Sequence, residues 1–316
     1  MLLTVLIPAY NEEGSIAEVI KNIPKKIESI DLIKIIVIDD GSNDNTVKVA
    51  KDAGAEVYSL SHNQGLAKAI AHGFRVGIEI KSDILVILDA DNQYDPKEIN
   101  LLINPILQKK ADIVIGDRQI DSLSHMPKQK KIGNKMVSKV LSLLIGNKIL
   151  DAQTGFRAFN KESLAKIQIF SEYTYTQETL MQAKYKKLKV EQIPITFRKR
   201  NDESRLISNI FSYASRTISL VASTIIFYKS FRFFSILSTI LFSIGILISI
   251  FVLNHYIITN KVTPHLPLAL LAVLFLITGS ISVFFTITSS ISNRQSKLLE
   301  EILFMLKKDY SEDRKN

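Results

Sequence analysis

Residues 84–96 read ILVILDADNQYDP: five apolar residues, then three aspartates within seven positions. A short apolar run bounded by polar turn residues predicts a buried strand. In a parallel α/β sheet, ligands sit beyond the carboxyl ends of the strands, which is where these acids fall. Alternate side chains of an extended segment share a side, so Asp89, Asp91 and Gln93 converge. Two carboxylates and an amide oxygen are hard ligands suited to Mg²⁺ or Mn²⁺. Asp95 has a different explanation: in DPKE (95–98) the aspartate takes the N-cap, proline the first helical position and glutamate the third, a helix-start signature.

Working outward, residues 2–8, 33–39, 55–60, 83–89 and 111–116 are all short β-branched runs. Helix-compatible stretches lie between them, such as EEGSIAEVIKNIPKKI (12–27) and LAKAIAHGFRVGIEI (66–80). This alternation predicts an α/β domain, Rossmann-like, with a mostly parallel sheet and flanking helices. Three strand ends carry polar signatures: PAYNEE (8–13), DDGSNDNT (39–46) and DADNQYDP (89–96). No GxGxxG follows the first strand and no GxxxxGK[ST] occurs, which disfavours a nicotinamide enzyme or a P-loop ATPase. Asp39, Asp40, Asp89 and Asp91 at one sheet edge would repel one another without cations, which calls for a metal, basic side chains or a hydrogen-bonded polar ligand. Metal ions of this class bind through one or two carboxylates plus substrate phosphates, which points to a nucleoside diphosphate.

The chain has 316 residues, 47% of them hydrophobic, enough for one sizeable domain and an addition. Residues 233–253 and 266–291 are uncharged apolar runs long enough to cross a bilayer, joined by NHYIITNKVTPH, and predict a two-helix transmembrane hairpin. Lys229, Arg232, Arg294 and Lys297 flank the spans while the connecting loop offers only Lys261, so both termini are expected in the cytoplasm. The start MLLTVLIPAYNEE lacks the features of a signal peptide, so export of the first 230 residues is not expected. The net charge of +9 beside such a hairpin suggests anionic lipid or a phosphate-bearing substrate rather than nucleic acid. There is no Cys, and the five His lack ligand-like spacing, which argues against zinc. The expected division is a catalytic domain over 1–203, juxtamembrane helices over 204–230, the hairpin over 231–292 and a cytoplasmic tail over 293–316. Residues 128–150, with early lysines and apolar residues at helical intervals, read equally as a helix packed on the sheet or one at the membrane interface.

PAYNEE, IDDGSNDNT, HNQGLAKAI, DADNQ, GDR and DAQTGFRAF, in this order and spacing, resemble family-2 inverting glycosyltransferases of GT-A fold. More narrowly they are similar to the polyprenyl-phosphate glycosyltransferases typified by dolichyl-phosphate mannose synthase. The likeness covers roughly residues 3–230. It implies that Pro8, Tyr10, Glu12, Val37 and Asp39 line a nucleotide pocket. Asp89, Ala90, Asp91 and Gln93 would hold the sugar and a metal-bound diphosphate. Arg118 would face phosphate, joined by Arg200 on the donor side and by Lys131, Ser204 and Arg205 on the acceptor side. Glu178 stands where many glycosyltransferases keep a base. The family's glycine before the serine of RKRNDESRL is replaced by Glu203, which loosens the alignment of Arg200. The QxxRW signature of polymer synthases is missing, so polymerisation is disfavoured.

The implied reaction moves a sugar, from GDP-mannose or a UDP-hexose, onto a polyprenyl phosphate at the cytoplasmic face. Two other readings stand beside it. One is a transferase for a hydroxyl-bearing lipid; the other is a non-catalytic membrane protein that binds nucleotide sugars. Paired hairpins would also allow a homo-oligomer.

Overall fold

The computed structural model describes residues 1–124, 126–169, 175–199 and 210–313. The chain divides into two units, one holding Met1–Thr217 with Phe304–Asn316 and the other Ile218–Leu303.

In the first unit, strands alternate with helices: β1 (Leu2–Ala9), α1 (Ile16–Asn22), β2 (Leu32–Asp39), α2 (Thr46–Asp52), β3 (Glu56–Ser59), α3 (Leu66–Glu79) and β4 (Ile84–Ile87). There follow α4 (Ile99–Leu107), β5 (Ile113–Asp117), α5 (Lys128–Ile145), β6 (Arg157–Asn160), α6 (Lys161–Lys166), α7 (Tyr175–Tyr185) and β7 (Val190–Pro194). The five expected strands all form. β6 and β7 were not legible as apolar runs: RAFN is four residues opening on arginine, and VEQIP alternates weakly and ends in proline.

The seven strands make one sheet in the order β3-β2-β1-β4-β6-β5-β7. All neighbours are parallel except β6, which runs antiparallel to both β4 and β5. The order therefore reverses direction at β1 and β4, and a crevice opens beyond the carboxyl ends of strands at such a switch point. PAYNEE and DADNQ flank it.

Both faces of the central strands are covered, which explains their unbroken apolar runs. Leu3, Val5, Ile7, Val37, Ile84 and Val86 pack with Ile16 and Val19 of α1 and Leu102 and Ile103 of α4. On the other side Leu6, Ile36, Ile38, Leu85 and Ile87 are fully buried, as are Ile70 of α3 and Phe159 of β6. Phe74 of α3 meets Phe159 edge-on, with centroids 5.0 Å apart. Each such side chain contributes about 1.5–3 kcal/mol of burial, which holds the strand ends in fixed register.

Asp95 caps as expected, accepting from the Lys97 N–H at 3.1 Å with Pro96 next to it. Glu98 differs from expectation. Its carboxylate does not return to the cap but accepts from the Thr196 N–H at 2.9 Å and the Thr196 hydroxyl at 2.7 Å. Thr196 lies just past the end of edge strand β7, where the ladder offers its N–H no partner, and the acid supplies one.

The second unit is built on the larger part of α8 (Ile210–Thr259) and of α9 (Leu266–Asp313). Ser230–Thr259 and Leu266–Ser292 are long and apolar enough to cross a membrane. Leu247, Ile257, Leu270 and Phe284 point outward, as side chains facing lipid would. The two helices meet through Phe234 and Phe285, whose rings stack at 5.4 Å. Residues 210–230, expected as juxtamembrane, run into the first span without a break, and 204–209 lie outside the described residues.

Candidate active site

The segment after β4 is shaped by its own hydrogen bonds. Asp91 accepts from the Gln93 N–H at 3.1 Å, and Asn92 between them takes the left-handed region at φ 58°. This tight turn lets Asp89, Asp91 and Gln93 follow the strand within a few residues. The Gln93 amide nitrogen donates to the Arg198 carbonyl at 3.2 Å, which leaves the amide oxygen as the end for a cation. Ala90 is buried in the core. Asp89 is half-buried, and its carboxylate rests on Gly155 just before β6: a Cβ there would stand 2.7 Å from Oδ2.

Tyr94 closes the floor. Its hydroxyl accepts from the Gly155 N–H at 3.0 Å and pairs with Thr154 Oγ1 at 3.3 Å, while its ring packs on Phe156 and Phe197. Burial pushes the Tyr94 phenol up to about 12, with the Asp89 charge adding to the effect. Burial likewise raises Tyr175, at the start of α7, and Asp89 again contributes.

Arg118 follows β5. Its Nε and one Nη donate to both oxygens of the fully buried Asp151, at 2.6 and 2.9 Å, and its guanidinium lies 5.1 Å from the Phe197 ring centre. Burial works against the Arg118 charge, but Tyr94, Asp151 and Asp89 outweigh it and keep the guanidinium protonated. With two donors committed to Asp151, only the remaining Nη hydrogens can meet a phosphate.

Arg157 opens β6 and is also fully buried. It donates to the carbonyls of Ala152 and Thr154 at 3.0 Å each, to the Thr176 carbonyl at 2.7 Å and to the Thr179 hydroxyl at 2.5 Å. Burial lowers it to about 10, so it stays charged at neutral pH while tying the 152–154 loop to the first turn of α7. Glu178 lies in that turn, 8% exposed, and accepts from Gln182 Nε2 at 3.3 Å.

At the ends of β1 and β2 the predicted residues divide. Pro8 is buried in β1, whereas Tyr10 and Glu12 are part-exposed, with Glu12 Oε2 accepting from the Ser15 hydroxyl at 3.0 Å. Val37 is wholly enclosed in the core. Asp39 is 2% exposed and accepts from the Ser42 N–H at 3.1 Å, forming the turn in which Gly41 sits at φ 74°. A side chain at Gly41 would meet the His62 backbone at 2.7 Å. Asp40 is satisfied by the N–H groups of Gln64 and Gly65 at 2.7 and 2.8 Å. The repulsion expected among four strand-end acids is thus relieved for Asp40 by backbone donors.

Lys131 lies in the first turns of α5, and its Nζ donates to the Asp121 carbonyl at 3.1 Å. Arg200, Ser204 and Arg205 lie outside the described residues. Among the described residues no three His, Cys, Asp or Glu side chains gather as a metal cage. Asp89 and Asp91 with the Gln93 oxygen fit a cation that takes its other ligands from a bound diphosphate. Sequence reasoning passed over Asp151, Gly155 and Arg157. All three lie in DAQTGFRAF, and an acid, a glycine and an arginine within seven residues were the available signal.

Three comparisons bear on this arrangement. Residues 4–168 match the model of glycosyl transferase family 2. The UDP-N-acetylglucosamine--dolichyl-phosphate N-acetylglucosaminyltransferase of Methanococcus voltae is 34% identical over 219 residues, 61% of this chain and 84% of that protein. The dolichol-phosphate mannosyltransferase of Pyrococcus furiosus is 30% identical over 225 residues, 67% of this chain and 62% of that protein. Among solved structures, glucosyl-3-phosphoglycerate synthase from Mycobacterium tuberculosis, crystallised with Mn²⁺ and UDP, superposes with a TM-score of 0.53 at 20% identity. That match covers 71% of this chain and 78% of the synthase, and bears out a GT-A-like fold. With its strand-end acids at the switch point of this sheet, the chain belongs to glycosyl transferase family 2 and is a glycosyltransferase.

Proposed function

We propose that the enzyme transfers a hexosyl or N-acetylhexosaminyl group from a nucleoside diphosphate sugar to a polyprenyl phosphate at the cytoplasmic face of a membrane, inverting the anomeric centre. The observation that carries this reading is the group formed by Asp89, Asp91, Gln93 and Arg118 beside the sheet's switch point. Relatives named for dolichyl-phosphate and undecaprenyl-phosphate transfer support the acceptor class. The two apolar helices supply a membrane anchor, and the cations around them favour cytoplasmic termini.

Asp91, the Gln93 oxygen and Asp89 would hold Mg²⁺ or Mn²⁺. Bound there, the cation supplies charge neutralisation for the departing diphosphate, the largest electrostatic demand of such a transfer. Pro8, Tyr10, Glu12 and Asp39 border the donor side. Asp89, held against Gly155, lies closest to the sugar. Arg118, fixed by Asp151, presents its remaining Nη hydrogens to phosphate. A phosphate monoester is largely ionised near neutral pH, so the acceptor needs orientation rather than proton removal. Lys131, with Arg200, Ser204 and Arg205, would provide that orientation, and buried Glu178 would act by positioning its neighbours.

The test is an acceptor comparison. Full-length protein in detergent, with Mg²⁺ or Mn²⁺ and a panel of nucleotide sugars, is offered polyprenyl phosphate or the matched polyprenol. Transfer to the phosphate alone supports the proposal. Transfer to the alcohol, abolished by Glu178→Gln, would instead assign a hydroxyl acceptor and make Glu178 a base. Failure to release nucleoside diphosphate with either lipid would favour a non-catalytic binder.

A further inference from the structure

The turn that carries Gln93 is held from outside by a three-residue segment. Residues 196–198 run on from β7 and pass antiparallel to residues 93–95, with Tyr94 and Phe197 forming an isolated β-bridge. The Arg198 N–H donates to the Gln93 carbonyl at 2.8 Å, and the Gln93 side-chain amide donates back to the Arg198 carbonyl at 3.2 Å. The Arg198 guanidinium pairs with the Asp95 carboxylate. The rings of Tyr94 and Phe197 meet with centres 5.2 Å apart, and Thr196 is tied to Glu98. Each residue of the segment is thus fastened to the turn or to the helix start behind it.

The chemistry of the Gln93 tie decides which end of its amide faces a ligand. A carbonyl can only accept, so the Arg198 oxygen selects the NH₂ end of Gln93 and turns the amide oxygen away. Flipped, the amide would set two oxygens against each other and lose a hydrogen bond. A loose glutamine would surrender rotamer freedom each time it met a cation; this one has surrendered it in folding. The Arg198–Asp95 pair is part-exposed, at 43% and 20%, and such a pair alone contributes little. Its position gives it weight, because it closes the end of a pairing only a few residues long, which would otherwise open locally.

We propose that Arg198 is a positioning residue for the metal site, resting on the reading that Gln93 is a ligand: with Thr196 and Phe197 it holds the Gln93 amide with its oxygen turned to a divalent cation. Groups that orient a metal ligand govern affinity by about 10–100-fold when removed. Charge alone argues the opposite way, since taking a guanidinium from beside a cation site should strengthen metal binding. The sign of the effect therefore separates positioning from electrostatics.

The test measures Mn²⁺ binding to full-length protein in detergent, by electron paramagnetic resonance with UDP or GDP present, and needs no turnover. Arg198→Pro removes both the side chain and the N–H that reaches Gln93, and should weaken Mn²⁺ binding by about 10–100-fold, as Gln93→Ala should. Arg198→Ala keeps the N–H and should weaken binding several-fold, with Arg198→Lys restoring most of it. Added to Gln93→Ala, Arg198→Pro should cost nothing further, because both act through the same ligand. Unchanged or tighter Mn²⁺ binding in Arg198→Ala, with circular dichroism showing a folded protein, would overturn the proposal and leave the metal site standing. A full additional loss in the double variant would also overturn it, since Arg198 would then act elsewhere. Wild-type Mn²⁺ binding in Gln93→Ala would remove the ligand reading itself and this proposal with it.

Discussion

The Asp89 carboxylate is seated on the α-carbon of Gly155, where a Cβ would lie 2.7 Å from Oδ2 and 2.9 Å from Oδ1. The antiparallel register of β4 and β6 pairs Ile87 with Arg157. Continued two residues, that register brings Asp89 opposite Gly155. The acid is thus placed by the ladder itself, and the absence of a side chain across from it makes the room it occupies. Gly155→Ala should lower sugar transfer by about two orders of magnitude, the scale of an ångström-sized misplacement. The far-ultraviolet circular dichroism should stay unchanged, since the core beneath is untouched. Transfer assays beside circular dichroism check both halves.

Asp151 is the counter-ion of Arg118 and also accepts from the Gln153 N–H at 3.2 Å. Asp151→Ala leaves a buried guanidinium unpaired, which costs about 3–5 kcal/mol. Denaturant unfolding should register that loss. Arg118→Lys should keep much of the stability yet bind lipid phosphate less well, because an ammonium cannot reproduce the fork.

Asp40 holds the loop before α3 through two short hydrogen bonds from Gln64 and Gly65. Charge-assisted bonds of this kind contribute about 1.5–3 kcal/mol each. Asp40→Ala should speed amide exchange at residues 64 and 65 far more than at β1, as hydrogen-exchange mass spectrometry can resolve.

The Tyr94 phenol is raised from its ordinary 10.0 to about 12 by burial. Because the folded state favours the neutral form, its contribution to stability is complete below pH 10.0 and declines as pH rises towards about 12. Thermal melts in this alkaline window should show falling stability, and Tyr94→Phe should make the fall shallower. A slope unchanged by the substitution would assign the alkaline loss to other groups.

The fold was legible where strands were apolar runs: β1, β4 and β5 are buried along almost their whole length and β2 over its second half, so they need no alternation, whereas edge strand β3 is part-exposed. β6 escaped because its first residue is an arginine turned inward, made tolerable by three carbonyls and a hydroxyl that no local pattern announces. The site was legible for the same local reasons. Asp89, Asp91 and Gln93 are close in sequence, and Asp95 declared its cap through the following proline. Asp151 and Gly155 were hidden because their meaning lies in partners from other strands, Arg118 more than 30 residues earlier and Asp89 more than 60.

The central claim, sugar transfer to a lipid phosphate by the acids after β4, is tested most directly by the mass of the lipid product. Full-length protein with Mn²⁺, polyprenyl phosphate and a panel of nucleotide sugars should yield a lipid heavier by one hexosyl or N-acetylhexosaminyl group. Folded Asp91→Asn should yield almost none. Unchanged polyprenyl phosphate with every donor, or full product from Asp91→Asn, would contradict the account.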